Sequence, residues 1–120
     1  MRKFMRSFLA AGAGVGFAIR TQSHMRFHIA AAIMVCGLGW LVSLKPLEWA
    51  IIIVTIAMVM TAEMMNTAIE QAVDLASPNI HPIAKIAKDA AAGAVLISAA
   101  LSLVVGLLIM GPPLWHLLVK

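Results

Sequence analysis

From Ala90 to Met110 the chain carries no charged side chain, a run close to the ~20 residues a helix needs to cross a hydrocarbon core. Lipid offers the backbone no hydrogen-bond partners, so such a segment must close its own bonds as a helix. Two further blocks precede it, one from about Phe27 to Leu44 ending at Lys45-Pro46, the other from about Leu47, with Glu48 at its rim, apolar apart from Thr55 and Thr61 up to Ala62 and helical in pattern on to Leu75. Composition agrees: 62% of the 120 residues are hydrophobic and 12% charged, where ordinary soluble domains carry roughly a quarter. The expected fold is therefore an all-α integral membrane protein with spans 27–44, 47–75 and 85–110 in a single domain. Gly111-Pro112-Pro113 is expected to stop the last of them. The single cysteine, Cys36, excludes an internal disulfide framework. The net charge of +4 points to anionic lipid headgroups. Nucleic acid is disfavoured, because no basic stripe with interleaved aromatics is present.

Residues 1–24 form a fourth unit. Arg2 and Arg6 lie one turn apart, as do Phe4 and Phe8, the pattern of an amphipathic helix lying on a membrane surface. A secretory signal is the competing reading, but Gly12, Gly14 and Gly16 dilute its apolar run and Arg20 and Arg26 follow it. Basic residues near the spans also orient the chain. Arg2, Lys3, Arg6, Arg20, Arg26, Lys85 and Lys88 fall on one side of three crossings, and Lys45 and Lys120 on the other. The amino terminus is thus expected on the cytoplasmic side and the carboxyl terminus outside, with Trp40, Trp49 and Trp115 anchoring the outer interface.

The middle span holds the chemistry. Acidic side chains at membrane depth are costly and mark function unless paired. At about 100° per residue, Glu63, Asn66, Thr67, Glu70 and Asp74 share one narrow face. A second polar patch, Lys85, Lys88 and Asp89, opens the third span. Oxygen ligands suit a hard cation and lysine suits phosphate, so the two patches suggest a magnesium nucleotide. The alternative is a structural brace in which Glu70 or Asp74 pairs with Lys85 or Lys88. No basic residue is expected to reach Glu63, and His24 and His28 are read as interfacial residues rather than metal ligands. The small residues of span three, Ala90 to Ala94 with Ser98 to Ala100, permit close helix packing. Three spans and a surface helix do not enclose a site for two substrates, so a homo-oligomer with sites between protomers is expected.

The sequence Glu63-Met-Met-Asn66-Thr67-Ala-Ile-Glu70-Gln-Ala-Val-Asp74, followed by His81-x-Ile-x-x-x-Ala87-Lys88-Asp89, resembles the prokaryotic diacylglycerol kinase family. The run from Lys88 through Ala-Ala-Ala-Gly-Ala-Val is more similar to its undecaprenol kinase branch. The resemblance implies a homotrimeric bundle of three transmembrane helices and a surface helix per chain, using Mg-ATP to phosphorylate a lipid alcohol. That alcohol would be undecaprenol, giving the phosphorylated carrier of cell-wall synthesis, or alternatively diacylglycerol, giving phosphatidic acid. By resemblance Glu63 is the general base and Glu70 a magnesium ligand, while Asn66, Asp74, His81, Lys88 and Asp89 surround the nucleotide. Where the family usually has a second metal-binding glutamate, this chain has Gln22, whose amide oxygen can ligate magnesium without adding charge. Two other functions fit membrane carboxylates. An ion conductor needs its polar stripe to cross the bilayer, and here Ile51 to Val59 is apolar except for Thr55; a noncatalytic assembly protein would bind no ATP.

Overall fold

The computed structural model describes residues 1–120 as four helices and no strand. They are α1 (Arg2–Thr21), α2 (Ser23–Leu41), α3 (Pro46–Ala76) and α4 (Pro82–Val119). The last three are each long and apolar enough to cross a membrane. Only 10 of 120 residues are buried within the chain, so lipid or neighbouring protein must cover an apolar exterior that water would not tolerate.

α1 turns its large apolar residues, Phe4, Phe8 and Val15, to one exposed face, opposite Lys3 and Arg6 at helical spacing. Near its end Ala18 is fully buried. Gln22 alone breaks the path into α2, with extended backbone at φ −110° and ψ 110°. The surface helix therefore ends sooner than residue 24, and α2 begins at Ser23 rather than Phe27. Arg26 holds this corner: its Nη1 donates to the carbonyls of Ile19 at 2.8 Å and Arg20 at 2.9 Å. A cation on the orphan carbonyls of a helix C-terminus satisfies them and complements the helix dipole.

The turn from α2 to α3 is a Schellman motif. Leu44 N–H donates to Gly39 C=O and Ser43 N–H to Trp40 C=O, at 3.1 and 3.2 Å. Ser43 takes φ 57° at the position where glycine is usual. Gly39 is needed for another reason: a Cβ there would lie 2.9 Å from Leu44 Cδ1 and 2.9 Å from Trp49 Cη2. α3 then starts with Pro46 as its first residue and with Glu48 Oε1 accepting from Lys45 N–H at 3.0 Å.

α3 and α4 form an antiparallel hairpin, since Asp74 meets Lys88 near its turn and Ile52 clusters with Met110 at its far end. α2 runs antiparallel to α3 on another side, with His28 against Glu63 and Leu38 against the Leu44–Ile52–Met110 cluster. Trp40, Trp49 and Trp115 accordingly gather at one end of the bundle, with Lys45 and Lys120.

α4 does not stop at Gly111-Pro112-Pro113 but continues to Val119. Two prolines forfeit two backbone bonds, yet their fixed φ is itself helical, and Gly111 has no Cβ to clash with the following ring. Leu114 packs on the Leu44–Ile52–Met110 cluster, a tertiary contact that favours continuing the helix past the break.

Candidate functional site

The polar face of α3 is graded by burial. Glu63 and Thr67 are buried, with Glu63 2% exposed; Asn66 and Glu70 are half-buried, and Asp74 is exposed. The five residues lie on one helix, so Glu63 and Asp74 are separated by about 16 Å of helix axis. Depth on the face thus translates into distance from water.

Glu63 faces α2. His28 Nε2 lies 3.2 Å from Glu63 Oε1, with side-chain exposures of 15% and 3%. The ring N–H is not squarely aimed at this oxygen, which has no other partner. This corrects the expectation that nothing basic reaches Glu63: His28 lies far away in sequence, and only the antiparallel packing of α2 on α3 brings it there. His24, one turn earlier, is exposed and joins no cluster. Thr67 Oγ1 donates to the Glu63 carbonyl at 3.0 Å, so this buried hydroxyl is satisfied along the helix.

Halfway along the face, Asn66 Nδ2 donates to Glu70 Oε1 at 3.2 Å. Asn66 Oδ1 is buried and unpartnered, which leaves an oxygen acceptor beside an oriented carboxylate. At the outer end Lys88 Nζ reaches across the hairpin to Asp74 Oδ1 at 2.5 Å, the pairing anticipated for a structural brace. Both partners are substantially exposed, 41% and 58%, so water screens the pair and a stronger anion can displace it. Lys85 pairs with Asp89 at 2.5 Å one turn on along α4. His81 is the N-cap of α4, its Nδ1 accepting from Ile83 N–H at 3.1 Å. Gln22 sits at the α1–α2 corner, half-buried, its amide 3.5 Å from Thr21 Oγ1.

No three His, Cys, Asp or Glu residues stand close enough together to hold a metal by themselves. A magnesium nucleotide brings its own phosphates and waters and draws only one or two carboxylates from the protein. Glu70 and the free Asn66 oxygen are hard ligands of the right kind. An open apolar groove of about 370 Å³ lies between α2 and α3, lined by Ala32, Ile33, Cys36, Ile53 and Ile56.

Comparison with known proteins gives a consistent result. The family model for prokaryotic diacylglycerol kinase matches residues 9–110. An undecaprenol kinase of Bacillus subtilis (strain 168) is 46% identical over 114 residues, covering 95% of this chain and 93% of the relative. A diacylglycerol kinase of Synechocystis sp. is 41% identical over 114 residues, covering 94% of this chain and 65% of the relative. A diacylglycerol kinase of Helicobacter pylori (strain J99) is 29% identical over 96 residues, covering 80% and 75%.

Proposed function

The chain belongs to the prokaryotic diacylglycerol kinase family and is an ATP-using membrane lipid kinase; from that premise we propose that undecaprenol is its acceptor and that the polar face of α3 is its active site. The observation that carries the site is the buried carboxylate of Glu63 at the deep end of a face whose other end is open to water. α3 is about 46 Å long, well beyond a hydrocarbon core of ~30 Å. With Pro46 at one interface, Glu63 falls near the opposite boundary and Asn66 to Asp74 fall among the headgroups. A lipid hydroxyl can meet Glu63 there while ATP arrives from water.

The roles follow from phosphoryl-transfer chemistry, which needs positioning and charge neutralisation. Glu63 takes the proton of the hydroxyl as its oxygen attacks the γ-phosphorus. Glu70, oriented by Asn66, and the free Asn66 oxygen would hold Mg²⁺, with Gln22 as a weaker neutral ligand from the α1–α2 corner. The ion, when bound, screens the charge of the phosphates. Lys88 exchanges its exposed pairing with Asp74 for phosphate oxygens, and Asp74, Asp89 and His81 frame the nucleotide around the hairpin turn. The concentration of basic residues around α1, the start of α2 and the start of α4 supports a cytoplasmic site in the bacterial plasma membrane, the carboxyl terminus being outside. One chain leaves this face unenclosed, which supports a homotrimer with sites between protomers.

The deciding experiment measures ATP- and Mg²⁺-dependent phosphorylation of undecaprenol and of diacylglycerol by the purified protein in micelles. Faster turnover of undecaprenol is expected. The 41% identity to a diacylglycerol kinase favours the second alcohol as the alternative acceptor, and preference for it would reverse the substrate assignment. Glu63→Gln is expected to reduce turnover by about 10²–10⁴-fold, the usual range for a general base. Full turnover by that variant would remove Glu63 from the role.

A further inference from the structure

We propose that His28 is a positioning residue for the general base, holding the Glu63 carboxylate toward the acceptor hydroxyl from the neighbouring helix; the proposal rests on the lipid-kinase reading above. Glu63 is 97% buried at its side chain, and His28 Nε2 at 3.2 Å is the only polar side chain paired with it. The three cations borne by the spans at this end are committed elsewhere: Lys88 to Asp74, Lys85 to Asp89, and Arg26 to the carbonyls of Ile19 and Arg20. A buried carboxylate with no partner at all is strongly disfavoured, so this contact decides where the group points.

The choice of imidazole suits the role. A lysine or arginine would hold the carboxylate as a permanent counter-charge and oppose its taking up a proton, whereas an imidazole N–H can orient one oxygen and leave the other free. In the reaction the acceptor O–H bond breaks as oxygen bonds the γ-phosphorus, the bond to the departing ADP oxygen breaks, and the proton passes to Glu63. His28 neither gains nor loses a bond. The ring N–H is turned off the line to Oε1, and such contacts commonly tighten when substrate binds.

The test is steady-state kinetics of the full-length protein with ATP and undecaprenol, comparing wild type with His28→Leu, His28→Gln and His28→Asn, each checked for unchanged oligomer size in detergent. Glutamine can place an amide N–H near the Nε2 position, whereas asparagine is too short. His28→Leu and His28→Asn are expected to lose about 10–100-fold in kcat, the scale of a misplaced catalytic group. The KM for ATP should stay within about twofold, since the contact does not touch the nucleotide. His28→Gln is expected to recover most of the loss. Full kcat in His28→Leu, equal impairment of the leucine and glutamine variants, or a loss lying wholly in the KM for ATP would each overturn the proposal. A wild-type protein inert toward ATP and every lipid alcohol would sink the lipid-kinase reading as well; an active wild type beside an unimpaired His28→Leu sinks this inference alone.

Discussion

Gln22 stands where the resemblance leads one to expect a metal-binding glutamate. It stands at the corner between α1 and α2 in extended backbone, so exchanging its amide for a carboxylate alters charge without altering the turn. As the proposed magnesium ligand it would donate through a neutral oxygen, and affinity at such sites follows the number of charged ligands. Gln22→Glu is therefore expected to lower, several-fold, the Mg²⁺ concentration that supports half-maximal turnover, measured by titrating Mg²⁺ at fixed ATP. Unchanged dependence would place Gln22 away from the ion. Glu63, Asn66, Glu70 and Asp74 were legible because their common face depends only on spacing along one helix. Residue partners were not: the Glu63–His28 contact spans two helices, and whether Asp74 is braced by Lys88 or Lys85 depends on how the α3–α4 hairpin closes.

At the scale of helices, the α2–α3 connection shows how a short stretch sets the site's geometry. The Schellman turn at Ser43 and the close seating of Trp49 on Gly39 fix the register of α2 against α3, and that register is what brings His28 level with Glu63. A methyl group at residue 39 must displace a rigid indole as well as the chain end of Leu44. Gly39→Ala is accordingly expected to destabilise the fold by about 1–3 kcal/mol, the range for overpacking a filled site, seen as a lower unfolding temperature in detergent. If helix register also shifts, kcat should fall although the substitution lies at the other end of the bundle. The existence of all four helices could be read from hydropathy, and the onset of α3 from Pro46 and Glu48. The length of α4 could not, because Pro112 and Pro113 are local stop signals and the contact of Leu114 that offsets them is not local.

For the whole molecule, the decisive quantity is how little of the chain is buried by itself. Under the proposed function, a face with the Glu63 carboxylate at its deep end and Lys88 across the hairpin at its rim needs walls that one protomer does not supply, so neighbouring copies would complete the site. Co-assembly of Glu63→Gln with Lys88→Ala chains tests this: each variant alone is expected to be nearly inactive, and mixed oligomers should regain measurable turnover when the two residues serve one site from different chains. Absence of any recovery would confine the site to a single protomer. By itself the sequence determined the lipid environment, the number of spans and the row of polar residues along the middle one, because hydropathy and helical periodicity are properties of contiguous residues. Only the tertiary structure decided which side chain meets Glu63, where α1 gives way to α2 and how far α4 runs, because each depends on a contact between helices whose residues are far apart along the chain.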